Sequence, residues 1–295
     1  MKKLAVVFVV VSLLPLGMAA AQDGSEFEYV LPAFAYHLVG VDENLWSSEI
    51  YISNPSSVPA AVRLGEFLPG RMVVPEPCVP PQGIPREVPP FTTIVWPARD
   101  VAFEMGCATE MVGGLIFAAD RTISIVSRMV NEKVEDRPVE EGFIPGFGLE
   151  IPAPGAETAT APGERLMLPA LVWHPKACEN PIFETSLGFV NLEDRRVTVT
   201  LSFPGENRPE YVIINHRPVS DQMQISVPAR GWKQVTFGPP LGDVPEECIP
   251  AEVFDLVADP DGAVIGYATV VDRSTQDGRL VIPVPITENS VGGAD

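Results

Sequence analysis

Residues 31–37, Leu-Pro-Ala-Phe-Ala-Tyr-His, return at 168–174 as Leu-Pro-Ala-Leu-Val-Trp-His. The offset of 137 between the two copies continues past the heptapeptide, and it later drifts to 139 and 141, as loop insertions produce. The chain is therefore predicted to contain two tandem copies of one fold. Matched pairs keep their order along both copies: Trp46 with Phe183, Ile50 with Leu187, Ile52 with Phe189, Asn54 with Asn191, Val62 with Val199, Leu64 with Leu201, Val88 with Val227 and Cys107 with Cys248.

Strand patterns dominate both copies. In 197–203, Val-Thr-Val-Thr-Leu-Ser-Phe, apolar and hydroxyl side chains alternate, which is typical of a half-buried strand. Short strands at regular spacing, separated by Pro, Gly, Asn and Asp, favour an all-β fold of two antiparallel β-sandwiches. In the first copy the predicted strands are Glu28–Tyr36, Ser48–Ser53, Ala60–Leu68, Phe91–Trp96, Gly113–Ala119 and Thr122–Val130.

Two local predictions concern the end of the second copy. Asp259-Pro260-Asp261-Gly262 separates the apolar runs Val253–Val257 and Ala263–Val271, and its residues favour a tight turn. A β-hairpin is therefore expected there. The only helical expectation is a turn or two within Glu246–Ala258.

The first 21 residues have the pattern of a secretory leader. Met1-Lys2-Lys3 is positive, Leu4–Met18 is apolar, and Ala19-Ala20-Ala21 offers a cleavage site. The apolar run is too short for a stable transmembrane helix, and no second long run follows it. A mature chain from Gln22, without a membrane span and secreted to the extracellular space or the periplasm, is predicted.

Composition and charge limit the possible partners. The chain is 46% hydrophobic and carries a formal net charge of −19. Such an apolar content favours a globular core, and the negative charge repels phosphate backbones and anionic membranes. A nucleic-acid partner is therefore not expected. Solubility explains the charge most simply, and binding of divalent cations is the alternative.

The four cysteines are expected to form disulfides, because exported proteins meet an oxidising environment. Pairing of Cys78 with Cys107 and of Cys178 with Cys248 would place one bridge in each copy. Cys107 and Cys248 are equivalent in the repeat but Cys78 and Cys178 are not, so a bridge between the copies stays open among the three connectivities.

The chain divides at changes of composition. Residues 22–132 and 166–288 form the two predicted domains, and 289–295 form a polar tail. Between the domains, 133–165 is rich in Pro, Gly and Ala, which is the composition of a linker. Its apolar residues, Phe143, Ile144 and Phe147, indicate that part of it packs against a domain.

No catalytic signature is present in the sequence. The only histidines are His37, His174 and His216, and the first two occupy the same place in each repeat, which duplicated structure explains. Spacings typical of zinc sites, nucleophile elbows and phosphate-binding loops are missing. The protein is therefore predicted not to be an enzyme.

Two weak binding signals remain. Asp259 and Asp261 place carboxylates as calcium ligands require, but a complete calcium loop is missing, so a metal-free turn is the simpler interpretation. In 231–237, alternation puts Trp232 and Gln234 on the polar face of a strand, where an exposed indole would bind a sugar or a protein. Packing of Trp232 against the linker is the alternative.

These motifs resemble a family. The Leu-Pro-Ala motif, the strands that end in Asn (Ile50–Asn54 and Leu187–Asn191) and Phe143-Ile144-Pro145-Gly146 are similar to segments of uncharacterised secreted bacterial proteins. Those proteins consist of tandem immunoglobulin-like β-sandwich domains. The resemblance implies that architecture for most of the mature chain, and it supplies no functional residues.

Three functions fit such a chain. The first is a secreted, non-enzymatic binding or adhesion protein that recognises a protein or glycan ligand. The second is a structural subunit of an extracellular layer or filament, formed by self-association through an edge strand or the 133–165 segment. The third is a hydrolase or inhibitor whose site the sequence does not reveal.

Overall fold

The computed structural model describes residues 26–39, 45–70, 83–106, 110–131, 149–161, 163–173, 183–204, 212–214, 217–219, 222–237, 252–272 and 278–286. The strands form four antiparallel sheets, and one α-helix is present among these residues. The all-β prediction is confirmed. The predicted leader (1–21), the tail (289–295) and all four cysteines lie outside the described residues.

The first half contains two sheets. Sheet I has the strand order β1-β7-β4-β5, and sheet II has the order β6-β3-β8-β9, with the short β2 also paired to β3. The elements are β1 (Phe27–Tyr36), β2 (Leu38–Val39), β3 (Leu45–Ser53), β4 (Ala60–Pro69), β5 (Arg86–Val88), β6 (Thr93–Pro97), α1 (Ala98–Glu104), β7 (Met111–Ala119), β8 (Ser124–Asn131) and β9 (Leu149–Pro152).

The second half repeats this arrangement. Sheet III has the order β15-β12-β17-β10-β20, and sheet IV has the order β14-β13-β16-β11-β18-β19. The strands are β10 (Arg165–Trp173), β11 (Phe183–Asn191), β12 (Val197–Ser202), β13 (Val212–Ile214), β14 (Arg217–Val219), β15 (Gln222–Val227), β16 (Gly231–Phe237), β17 (Glu252–Pro260), β18 (Val264–Asp272), β19 (Gly278–Val281) and β20 (Val284–Ile286).

The two halves have the same strand order once β2, the β13–β14 pair and β20 are set aside. In each half the first, sixth, third and fourth strands form one sheet, and the fifth, second, seventh and eighth form the other. The sheets of each half enclose a core of their own. Leu31, Ile50 and Phe117 are fully buried in the first core, and Leu187 and Leu256 in the second. We call these halves the first and second sandwich.

The Leu-Pro-Ala motif is a β-bulge in both sandwiches. The pairing of β1 with β7 shifts between Leu31 and Phe34, and that of β10 with β17 shifts between Leu168 and Leu171. Proline has no N–H to give to a ladder, so it is accommodated where one extra residue interrupts the pairing. The motif that reveals the duplication therefore marks a shared irregularity of the first strand.

The asparagine after the second strand has the same role in both sandwiches. Asn54 and Asn191 are buried, and each side-chain oxygen accepts the backbone N–H two residues later, at Ser56 and Glu193, over 2.9 Å. Their amides donate to carbonyls on either side, including Val58 at 2.8 Å and Arg195 at 2.8 Å. Each asparagine therefore holds the loop that crosses between sheets.

The hairpin predicted at Asp259–Gly262 is wrong. β17 pairs with β10 and β12 in sheet III, whereas β18 pairs with β11 and β19 in sheet IV. The turn therefore carries the chain from one sheet to the other. The helical expectation at Glu246–Ala258 is also wrong where it can be compared, because Glu252–Pro260 is a strand.

The predicted linker contributes to both sandwiches in its described part. β9 belongs to sheet II, and the following Gly155 bridges to Tyr29 on the free edge of β1. Thr160 then pairs with β18 of the second sandwich, where it accepts the N–H of Val264 at 3.0 Å through its hydroxyl. In sheet III, β20 closes the equivalent edge of β10.

The two sandwiches contact each other through sheet I and sheet IV. A third apolar cluster, separate from the two cores, lies between the outer faces of these sheets; it contains Val30, Leu68, Ile116, Val190, Trp232 and Ile265. Arg230 adds a salt bridge to Glu66 of β4 and donates to the Leu192 carbonyl at 2.6 Å. Hydrogen bonding to Glu66 raises the pKa of Arg230.

Candidate functional site

The outer face of sheet II carries three parallel rows of side chains that run across the strands. The middle row is apolar, with Val95, Tyr51, Val126 and Pro152 opposite one another on β6, β3, β8 and β9. Val95 is 48% exposed, and none of these four residues belongs to the apolar cluster between the sandwiches. We call this surface the banded face.

A row of hydroxyl groups lies on one side of the apolar row. Thr93, Ser53 and Ser124 are opposite one another on β6, β3 and β8. The hydroxyl oxygens of Ser53 and Thr93 are 2.7 Å apart and hydrogen-bonded. Phe91, which is 74% exposed, lies in the turn that leads into this row.

A row of charged groups lies on the other side. Glu49, Arg128 and Glu150 are opposite one another on β3, β8 and β9. The Tyr51 hydroxyl donates to Oε2 of Glu49 at 2.8 Å, so the aromatic ring leans along β3 towards the charged row. This hydrogen bond is the main reason why the pKa of Tyr51 is raised, and Arg128 opposes it.

The equivalent face of the second sandwich is the one that sheet IV presents to sheet I. Its rows occupy the same registers, but the residues at the positions of Ser53, Thr93 and Ser124 are Val190, Trp232 and Ile265. These three belong to the apolar cluster between the sandwiches. One face of a duplicated fold is therefore apolar and covered, and the other is banded and open.

The two faces also carry their tyrosine on different strands. In sheet IV, Tyr267 lies opposite Gly188, and its ring occupies the space that a larger side chain at position 188 would need. In sheet II the corresponding pair is Val126 and Tyr51, so the aromatic ring stands on the neighbouring strand. Burial raises the pKa of Tyr267, whereas Tyr51 lies at the surface.

Of the two residues predicted to form a ligand surface, Trp232 is not exposed. Its side chain is 7% exposed and packs against Gly70 of the first sandwich, where the indole ring occupies the space that a Cβ at position 70 would need. The expected exposure of the indole is wrong. The alternation of side chains along the strand identifies the outer face of the sheet, but it does not show that another sheet covers that face. Gln234, two residues along the same face, is exposed.

Of the two residues predicted as weak calcium ligands, Asp261 has structural partners. Asp261 accepts the Thr198 N–H at 2.8 Å and forms a salt bridge with Arg195 at 3.4 Å. Asp259 is exposed at the end of β17. No group of three or more His, Cys, Asp or Glu suited to a metal ion occurs among the described residues. The disulfides predicted for Cys78, Cys107, Cys178 and Cys248 stay predictions.

Sequence reasoning missed Glu49, Tyr51 and Arg128. The alternation in Ser48–Ser53 places Glu49, Tyr51 and Ser53 on one side of a strand, which was the available signal. Cross-strand neighbours depend on register, which the sequence of a single strand does not contain. The three rows can therefore be recognised only once the pairing of the strands in the sheet is known.

The chain matches no family model, no curated protein and no solved structure. No helix among the described residues is long and apolar enough to cross a membrane.

Proposed function

We propose that this chain is an exported, non-enzymatic binding protein that recognises a protein or glycan ligand through the banded face of its first sandwich. The leader pattern in residues 1–21 supports export. The protein then consists of two tandem immunoglobulin-like domains in the architectural sense. The strand order β1-β7-β4-β5 is not the A-B-E-D order of an antibody constant domain, so this likeness rests on two packed antiparallel sheets.

The observation that carries this proposal is the contrast between the banded face and its copy in sheet IV. Ser53, Thr93 and Ser124 stand where the copy has apolar residues that dock onto sheet I. The banded face keeps an aromatic ring and apolar neighbours in its middle row. Polar groups on both sides of an apolar strip are a common feature of binding sites, since they orient a ligand while the strip buries it.

Retention on extracellular material tests this function. The labelled chain 22–295 is incubated with cell envelopes and culture-medium polymers of the producing organism, beside the variants Tyr51→Ala and Phe103→Ala. Phe103 is 85% exposed on α1, is not part of any of the three rows, and serves as the matched aromatic control. We expect saturable retention that Tyr51→Ala lowers and Phe103→Ala leaves unchanged.

Treatment of the immobilised material identifies the ligand class. Protease removes protein ligands, and periodate destroys glycans. Retention that is not saturable, or that is equal in all three proteins, contradicts binding through the banded face.

Self-association into a layer or filament is the second candidate, and the outer face of sheet III favours it. Val284, Met167 and Val257 form an apolar row across β20, β10 and β17; Val284 is 49% exposed, whereas Val257 is 3% exposed. Val253 on the same face of β17 is 66% exposed. Light scattering over a wide concentration range, with and without calcium, separates the candidates. A constant monomer mass excludes assembly, and reversible growth supports it.

A further inference from the structure

We propose that the ligand of the banded face is a neutral oligosaccharide lying along the apolar row, across the strands of sheet II. The inference rests on the proposed binding function and names the chemistry of its ligand. It follows from the order of the three rows, from the position of Tyr51 and from the charge of the chain.

The order of the rows matches the two-sided chemistry of a sugar ring. A pyranose presents C–H groups on its faces and hydroxyl groups around its rim. The apolar row, Val95, Tyr51, Val126 and Pro152, suits the C–H groups. The hydroxyl row on one side and the charged row on the other offer both donors and acceptors to the rim.

Tyr51 stands in the centre of the apolar row. Val95 and Val126 are its neighbours on β6 and β8, and its hydroxyl is held by Glu49 at 2.8 Å. A ring fixed at its polar end loses little conformational freedom when a ligand stacks on it. Tyr51 is thus pre-oriented as a stacking platform, with the Glu49 carboxylate close to its edge.

The direction of the row favours a saccharide over a peptide strand. A peptide that extends a sheet pairs along a free edge, parallel to the strands. The apolar row instead crosses four strands at right angles, over about 14 Å at the usual strand spacing. That length accommodates a short oligosaccharide on the face of the sheet.

Charge indicates that the glycan is neutral. Arg128 lies between Glu49 and Glu150, so its positive charge is matched by two carboxylates on neighbouring strands. The chain as a whole has a formal net charge of −19. Polyanionic glycans would meet repulsion on approach and no unopposed cation in these three rows.

Affinity electrophoresis tests the proposal. The chain 22–295 is run in native gels that contain a mixed-linkage β-glucan, xyloglucan, galactomannan, a soluble α-glucan or polygalacturonate. We expect retardation by at least one neutral polysaccharide and none by polygalacturonate. Tyr51→Ala should weaken the binding about tenfold, as loss of a central aromatic contact does, and Phe103→Ala should change it less than twofold.

Val95→Lys is a second variant in case Tyr51→Ala impairs folding. Val95 is 48% exposed, so the substitution keeps the core intact while it places a charged chain over the apolar row. We expect the same loss of retardation, with an unchanged circular dichroism spectrum. Unaltered retardation of both folded variants overturns the proposed position of the sugar.

The outcomes separate this inference from the function on which it rests. If no neutral polysaccharide retards the chain but envelope retention is saturable, Tyr51-dependent and protease-sensitive, the ligand is a protein and the glycan inference is wrong. If retention is absent as well, the binding function itself is wrong. Equal retardation by polygalacturonate overturns the preference for a neutral ligand.

Discussion

Trp232 donates its indole N–H to the hydroxyl oxygen of Tyr267 over 3.2 Å, and both side chains are buried. Trp232 lies in the apolar cluster between the sandwiches, and Tyr267 also packs against the core of the first sandwich. The pair thus connects two strands of sheet IV while it fills the junction with sheet I. It identifies the place where the stability of one sandwich depends on the other.

Trp232→Ala should lower the free energy of unfolding by about 3–5 kcal/mol, because it empties a packed site and leaves a cavity. Urea denaturation followed by circular dichroism measures the change. The exposed Phe103→Ala is the control and should cost less than about 0.5 kcal/mol. A loss below about 1 kcal/mol for Trp232→Ala would show that the junction contributes little to stability.

Alkaline pH should destabilise the protein through Tyr267. Burial raises the pKa of Tyr267 above the ordinary value of 10.0, so folding favours its protonated form. That contribution is complete below about pH 10 and is lost as pH rises towards the folded-state pKa. Thermal melts from pH 8 to pH 11 should show a decline that Tyr267→Phe lessens. Burial also raises the pKa of Tyr29, so the double variant with Tyr29→Phe should lessen it further.

Asn54→Ala and Asn191→Ala should destabilise by similar amounts, since the two amides make equivalent hydrogen bonds in the two sandwiches. Each buried group left without its partner costs about 1–3 kcal/mol. Chemical denaturation of the two variants provides a matched comparison within one chain. A negligible cost at either position would contradict a shared role for these residues.

Replacing the hydroxyl row by its apolar counterparts, with Ser53→Val, Thr93→Trp and Ser124→Ile, should cause self-association. The outer face of sheet III carries Met167 and Val257 where sheet I carries Val30 and Ile116. Val284, which lies opposite Met167, is 49% exposed and offers a surface for docking there. Sedimentation velocity should show concentration-dependent species. Arg99→Trp on α1 should not produce them, and a monomeric triple variant would show that the row does not control association.

The sequence predicts the strands well because their alternation is local. The predicted Ala60–Leu68 and Gly113–Ala119 correspond to strands at Ala60–Pro69 and Met111–Ala119. Asp261 and Gly262 of the predicted turn do separate β17 from β18. Turn residues do not specify, however, whether the next strand pairs with the last one or crosses to the facing sheet. α1 was missed because it has seven residues, too few to show a helical period.

The candidate site is harder to predict from sequence. Tyr51 and Trp232 both fall on outer faces by alternation, and nothing in either strand tells which face another sheet covers. The repeat offset does pair Ser53 with Val190, which is a sign that the two faces differ in chemistry. The burial of Val190 and the openness of Ser53 depend on how the sandwiches pack, which is a tertiary property.

The contact between sheet I and sheet IV joins two different faces of the same duplicated unit. In terms of symmetry it is a heterologous contact, which among separate identical units either closes into a ring or continues without limit. Here each chain carries the contact internally, and the hydroxyl groups of Ser53, Thr93 and Ser124 occupy the position where a further unit would add. The chain is therefore a stack of two units, and the face of the first unit to which a further unit would add is polar.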